Sequence, residues 1–273
     1  MFQFSDKHIE DFRALGYTVF RGILPPSLIG DLRRECEKGA AQARAQMGSP
    51  QRFQPVSAYQ LDIRPFEDYR DLPALCDAIH RVLSPRHSHG DFDVMGVLLE
   101  PTEQPSCTQW HRDWRDNVKA ADLDRWEADY RDENLFNQIN CALYEDSCTW
   151  VVPGSHLRRD TPEEIAVFPE RPILGPNVQA KSGEERERLC LDYCEQMPGA
   201  ERLLLNAGDF CLYRNTLWHL GNYIPYRKRA TLHDGAMTPE FRQWTSENIA
   251  EVQRRIQAGA QWENPNRRVA ATA

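Results

Sequence analysis

The chain has 273 residues, 41% hydrophobic and 27% charged, with 33 Lys and Arg against 41 Asp and Glu for a net charge of −8. That length buries a full core without disulfides or a structural metal, and an acidic chain with no basic run is a poor partner for a nucleic-acid backbone. The longest apolar run, Val94-Met95-Gly96-Val97-Leu98-Leu99, is far too short to span a bilayer. The first residues lack the charged-then-apolar pattern of a signal peptide, so the expectation is a cytoplasmic protein whose eight cysteines stay reduced.

In chain order, residues 5–16 read as a short helix, capped by Ser5, buried through Ile9 and Phe12 and ended by Gly16. Tyr17-Thr18-Val19-Phe20 is a strand by its β-branched and aromatic content. Pro25-Pro26 breaks the chain, and Ser27 is expected to cap a second helix with Leu28, Leu32 and Cys36 on its buried stripe, running to about Met47. Residues 50–70 read as irregular. Strands are expected at about 92–99 and 108–114, and the charged stretch Asp122 to Glu133 reads as a solvated face or a lid. Asn137 to Tyr144 alternates with period two. Ile139, Cys141 and Leu143 share one face, and Gln138, Asn140, Ala142 and Tyr144 share the other, where amides would orient a polar ligand.

Residues 157–205 form a polar insertion with a helix around 183–196. Strands follow at 210–213 and from Arg229 to His233, and a C-terminal helix spans 239–258. Short strands between helical ends suit a β-sandwich or barrel decorated by helices. The expected organisation is one domain over 1–273: a helical part at 1–90, a β core at about 91–236 carrying the insertion, and the final helix.

The segment with chemistry in it is Trp110-His111-Arg112-Asp113-Trp114. On a strand, residues i and i+2 point the same way, so His111 and Asp113 share a face. A third ligand from a distant strand completes a two-His-one-carboxylate triad, which holds Fe(II) and leaves positions free. His-x-acid occurs three times, where about one match is expected by chance. His8-Ile9-Glu10 falls on a helix, where i and i+2 diverge, and His89-Gly90-Asp91 falls in a loop with His87.

Three further segments follow: Thr149-Trp150-Val151-Val152-Pro153-Gly154-Ser155-His156, then Ala207-Gly208-Asp209-Phe210-Cys211-Leu212-Tyr213 with Trp218-His219, then Arg227-Lys228-Arg229-Ala230-Thr231-Leu232. In this order they resemble the phytanoyl-CoA dioxygenase family of Fe(II)/2-oxoglutarate-dependent oxygenases, and Gly16 to Gly22 resembles that family's N-terminus. The resemblance covers most of the chain but not the insertion. It implies a mainly β fold with flanking helices around a double-stranded β-helix (jelly-roll, cupin-like) core. It implies His111, Asp113 and His219 as iron ligands, and Arg229 as the anchor of the distal carboxylate of 2-oxoglutarate, with Arg227 as the alternative. It also places Asn140, on the amide-bearing strand face with Gln138, against the cosubstrate. Gly221 stands where many members have a serine.

The activity implied is oxidation of a C–H bond of a small-molecule metabolite with O2, releasing succinate and CO2. The other class compatible with the fold is a cupin-like protein that binds a metal or small molecule without turnover. Asp113, where halogenating relatives carry a small residue, favours hydroxylation. Trp114, Arg115, Tyr144, His156 and Tyr213 are the candidates for contacting substrate, although His156 reads first as a structural histidine; His233 shares parity with Arg229, which would let it line the pocket, but reads first as a core or surface histidine. The sequence gives no oligomeric state and no substrate name.

Overall fold

The computed structural model describes residues 2–266; the single domain expected over 1–273 extends past them at residue 1 and 267–273. In chain order the helices are α1 (Asp6–Leu15), α2 (Pro26–Met47), α3 (Arg64–Arg70), α4 (Pro73–Val82), α5 (Leu123–Asp129), α6 (Pro162–Val167), α7 (Gly183–Glu195) and α8 (Pro239–Gln257). The strands are β1 (Tyr17–Phe20), β2 (Arg52–Phe53), β3 (Gly96–Leu99), β4 (Ser106–Cys107), β5 (Asn137–Ala142), β6 (Thr149–Val151), β7 (Glu201–Arg202), β8 (Phe210–Arg214), β9 (His219–Tyr223) and β10 (Ala230–Gly235). They form a six-stranded antiparallel sheet, β1-β8-β5-β10-β3-β2, and a four-stranded one, β4-β9-β6-β7. Two antiparallel sheets flanked by helices are the jelly-roll arrangement expected from the sequence.

Period-two alternation sets the two faces of the large sheet. Ile139 and Cys141 of β5, Phe210 and Leu212 of β8 and Leu232 of β10 turn toward the helices and join the main core with Leu28, Leu32 and Leu75. Phe20 and Phe210 stack there, ring centroids 5.6 Å apart. Gln138, Asn140, Tyr213 and His233 turn the other way, into a cavity that also meets Thr149 of β6 and His219 of β9.

Several local expectations are corrected. Ser5 does cap α1, its N–H donating to His8 Nδ1 at 3.0 Å, but α2 starts at Pro26 behind Pro25, so Ser27 lies inside the first turn. Proline suits that first position because its missing N–H has no partner there anyway. Residues 50–70 hold β2 and α3 rather than irregular chain. β3 is confined to Gly96–Leu99, and β5 ends at Ala142. Beyond β5 the chain bends outward, and Tyr144 lies beneath the Arg33 guanidinium at 4.2 Å with its hydroxyl on Glu37. The charged stretch 122–133 is amphipathic: Asp124, Arg131, Asp132 and Glu133 are exposed, as a solvated face requires, while Trp126 of α5 and Tyr130 just beyond it are buried and stacked on each other.

The stack at the centre of the core yields a direct test. Phe210→Ala should destabilise the protein by about 3–5 kcal/mol, read as a lower urea midpoint at unchanged slope by far-UV circular dichroism.

Candidate active site

His111 and His219 face each other across an isolated antiparallel bridge, each N–H donating to the other's carbonyl at 3.1 Å. Directly paired residues place their side chains on the same face, and here the two imidazole centroids lie 4.2 Å apart. The strand expected over 108–114 stops at this bridge. Arg112 and the residues after it turn, with Trp114 at φ 64°, so Asp113 reaches the imidazoles from a turn and not by strand alternation. Its N–H donates to Asn215 O at 2.9 Å and its carbonyl accepts from Trp126 Nε1 at 2.9 Å. Asp113 Oδ1 then lies 3.4 Å from His111 Nε2 and 4.0 Å from His219 Nε2. Among the described residues these three form the one group of His, Cys, Asp or Glu whose donor atoms gather within 4.8 Å.

The donors are pre-aimed. Each imidazole holds a backbone carbonyl through Nδ1, His111 to Gln109 O at 2.8 Å and His219 to Leu217 O at 3.0 Å, which leaves both Nε2 lone pairs for a cation. Asp113 accepts from Asn117 Nδ2 at 2.6 Å and from Asn215 Nδ2 at 2.9 Å. Burial alone would raise the Asp113 pKa, but the bond to His111 and the two imidazoles outweigh it and hold the group near about 2. Burial, then the neighbouring His111, pushes His219 down to about 4. Burial would lower His111 as well, yet Asp113 more than offsets it and His111 rises. Two imidazole nitrogens, His111 having released its proton, and an anionic oxygen meeting at a buried point suit a divalent metal of the iron type.

The triad opens on a cavity of about 270 Å³ lined also by Arg229, Tyr223, Asn140, Gln138 and His233. Arg229 is buried. Its Nε donates to Asp146 Oδ2 at 2.9 Å, while one terminal nitrogen is buried with no partner. Burial would lower its pKa, but Asp146 outweighs that and the guanidinium stays charged. A buried, half-paired guanidinium on a cavity wall asks for an anion. Arg227 does not reach this cavity. It is half-exposed and faces Glu145 at 3.6 Å. The space above Gly221 is filled by the Tyr223 hydroxyl, which a Cβ there would strike, and the Tyr223 ring lies 4.9 Å from the Arg229 guanidinium. The signal for Tyr223 was its i+2 spacing from Gly221 on β9.

Gln138 and Asn140 belong to one directional chain. The Tyr213 hydroxyl donates to Gln138 Oε1 at 2.7 Å, and Gln138 Nε2 donates to His233 Nε2 at 3.2 Å. His233 Nδ1 donates to Asn140 Oδ1 at 2.8 Å, and Asn140 Nδ2 to Thr149 Oγ1 at 3.1 Å. The directions require a neutral His233 carrying its proton on Nδ1. Its expected place, core or surface, is therefore corrected to the cavity wall, opposite Asn140 in the β5–β10 register.

Other candidates lie elsewhere. Arg115 is buried in an ion cluster with Asp116 and Asp160. His156 packs against Gly16, and Tyr144 lies on the outside of the sheet. Trp114 lines a second chamber beside the triad. His87 and His89 are buried, not solvated. His87 bonds Ser84 Oγ at 2.9 Å, and the His89 ring meets Tyr69 edge-on at 5.4 Å.

A family model described as Phytanoyl-CoA dioxygenase (PhyH) matches residues 12–222. A comparison with curated protein sequences finds no significant match. Among solved structures, AviO1 from Streptomyces viridochromogenes Tue57 is similar at TM-score 0.56 and 16% identity, over 85% of this chain and 94% of that one. HygX from Streptomyces hygroscopicus, solved with nickel and 2-oxoglutarate, is similar at 0.54 and 17%, over 85% and 87%. The carbocyclase SnoK from nogalamycin biosynthesis, described as non-heme and alpha-ketoglutarate-dependent, gives 0.53 and 15%, over 85% and 83%. At these identities the likeness is one of fold.

The hydrogen-bond chain predicts the state of its histidine. Burial, then Arg52, lowers His233 from 6.5 to about 4. Long-range 1H–15N NMR on metal-free protein should show an Nδ1–H tautomer at neutral pH and titration near 4. Because the folded pKa is depressed, the stability this group contributes is present above about 6.5 and is lost as pH falls toward 4. Titration near 6.5 would mean that the chain of donors does not form.

Proposed function

This chain belongs to the phytanoyl-CoA dioxygenase family, and we propose that it uses Fe(II), 2-oxoglutarate and O2 to oxidise, by default to hydroxylate, a C–H bond of a small-molecule metabolite. The observation that carries this is the convergence of His111 Nε2, His219 Nε2 and an Asp113 oxygen at one end of a cavity in which Arg229 has a free donor. Bound by these three, iron would supply the redox chemistry that couples conversion of 2-oxoglutarate and O2 to succinate and CO2 with oxidation of the substrate.

The chain's own residues do the rest. The carbonyls of Gln109 and Leu217 fix the imidazole tautomers, and Asn117 and Asn215 hold Asp113 in one rotamer. Arg229, already steadied by Asp146, offers its remaining terminal nitrogen to the distal carboxylate of the cosubstrate, and the Tyr223 hydroxyl above Gly221 is a second donor on that side. The neutral Gln138–His233–Asn140 chain walls the cavity without placing a competing cation beside the carboxylate. Asp113 occupies the third ligand position, which supports oxygen insertion over halogenation. The eight free thiols support a cytoplasmic setting, and no described helix is long and apolar enough to cross a membrane.

Metal analysis tests the ligands. His111→Ala should lose stoichiometric Fe(II); unchanged metal content would overturn its assignment. With wild-type protein, succinate release from 2-oxoglutarate should need both Fe(II) and O2, and absence of both metal binding and release would leave only a binding protein of this fold.

Calorimetric titration tests the anchor. Arg229→Lys keeps the charge beside buried Asp146 but loses the fork, so 2-oxoglutarate should bind about 10- to 100-fold more weakly. Tyr223→Phe should cost about two- to tenfold, and Arg227→Ala should leave the affinity within about twofold, as expected of an exposed pair. Equal effects at 227 and 229 would move the anchor.

A further inference from the structure

Beside the metal cavity lies a second chamber of about 280 Å³. That is near the lower end of the roughly 300–1,000 Å³ usual for small-molecule pockets. It shares Asp113, Asn117, Gln138 and His233 with the first cavity, so its contents lie against the Asp113 side of the triad. Val94, Trp114, Val118, Met237 and Phe241 supply apolar wall.

The polar groups on this wall differ in one respect. Most are bonded at both ends. Asn117 donates to Asp113 and accepts from Trp114 N, and Gln138 donates to His233 and accepts from Tyr213. Asn137 donates to Glu133 O and accepts from Arg214, and Gln54 accepts from Arg52 while its amide donates to Val94 O. Three atoms are buried without a partner: Asn215 Oδ1, on a residue 4% exposed, Thr245 Oγ1, and Asp234 Oδ1. A buried acceptor left unpaired costs about 1–3 kcal/mol, and all three of these residues line the chamber.

Charge is the second discriminator. No Lys or Arg is among the described residues that line the chamber; Arg229 and Arg52 line the neighbouring cavity. Asp113 is committed to two amides and the metal. Asp234 accepts from Gly90 N through Oδ2 while its Oδ1 has no partner, but it sits one residue from His233 on β10, so its side chain leaves the opposite face of the strand. A phosphate or carboxylate entering here would be desolvated beside Asp113 with no cation to meet it.

We propose that this chamber receives the substrate, and that the substrate is a compact uncharged molecule with an apolar skeleton and a hydroxyl or N–H that donates to Asn215 Oδ1, with a second polar group toward Thr245. The inference rests on the oxygenase reading above and adds the substrate class to it. A substrate whose phosphate or coenzyme A moiety must enter the chamber is excluded.

The test uses the full chain loaded with nickel and 2-oxoglutarate, which blocks turnover. Saturation-transfer NMR is run on neutral alicyclic alcohols and lactams of fragment size, each beside its matched phosphate monoester, carboxylate and amine. Neutral members should bind and their charged partners should not. Binding should weaken at least about tenfold in Val118→Trp, which fills the chamber, and about two- to tenfold in Thr245→Val, which removes one hydrogen bond at nearly constant shape. Calorimetry on the same samples should give wild-type 2-oxoglutarate affinity, showing that both variants are folded. Preferential binding of anions or amines overturns the substrate class. Neutral binding that survives Val118→Trp, or no binding from any set, overturns the chamber. Failure of 2-oxoglutarate itself to bind the wild type would instead overturn the oxygenase reading.

Discussion

Three guanidinium groups and two carboxylates, all buried, gather around the indole of Trp218, and the geometry of the site depends on them. Arg112, Arg115 and Arg171 lie 5.0, 4.8 and 5.6 Å from the Trp218 ring. Asp160 meets Arg115 at 2.9 Å, Arg171 at 3.1 Å and Arg112 at 3.2 Å, and Asp116 meets Arg115 at 2.8 Å and Arg171 at 2.9 Å. Arg112 also donates to the carbonyls of Ser155 and Thr216. Charges this deep are tolerated only because each finds its counter-charge; removal of one leaves the others uncompensated at a cost of about 3–5 kcal/mol. Arg112 stands between His111 and Asp113, and Trp218 precedes His219. The cluster therefore grips both ligand-bearing segments from behind while their side chains face the cavity.

The cluster also gives the 157–205 insertion a structural task. Asp160 and Arg171 belong to it, and the Tyr193 hydroxyl of α7 accepts the N–H of Trp110, one residue before His111, at 3.2 Å. This segment, expected from the sequence to lie outside the family resemblance but falling within the residues 12–222 that the family model matches, thus supplies part of the shell that holds the triad's backbone. Its polar composition reads as a solvated excursion, but two of its charges are core groups with partners over 40 residues away in the chain.

The fold and the triad were legible because they depend on local pattern. Alternation in Asn137 to Ala142 separated Ile139 and Cys141 from Gln138 and Asn140, and the structure sends one pair to the core and the other to the cavity. His111 and Asp113 were singled out by residue type and order, although the strand geometry offered for Asp113 was wrong. A turn held by Asn215 O, Asn117 Oδ1 and Trp126 Nε1 delivers its carboxylate; Asn117 is local, but Asn215 and Trp126 are too far along the chain to leave a period. Arg115 was misassigned to substrate because an arginine beside a ligand looks functional until its distant counter-ion, Asp160, 45 residues away, is seen. His233 reads as core or surface ahead of the pocket wall that its parity with Arg229 also allows, because its role depends on its register with Asn140, which is a property of pairing between distant strands.

The two cavities that share Asp113 differ in charge, and under the proposed assignment that difference would sort the two organic molecules. The first ends in a guanidinium whose charge is only partly answered by Asp146, so a carboxylate there recovers on binding the contacts it gives up in water. The chamber side offers apolar wall and neutral acceptors, so the same carboxylate there recovers nothing, while an uncharged molecule placed against Arg229 would leave that donor unpaired. Each misplacement leaves a buried polar group unsatisfied, and such a penalty discriminates more sharply than any gain in apolar contact. Asp113 sits on the boundary between the two, its oxygens fixed by amides from the turn after it and from the loop before His219. The residue that would complete the metal site is thereby also the partition that keeps an anion on one side and a neutral molecule on the other.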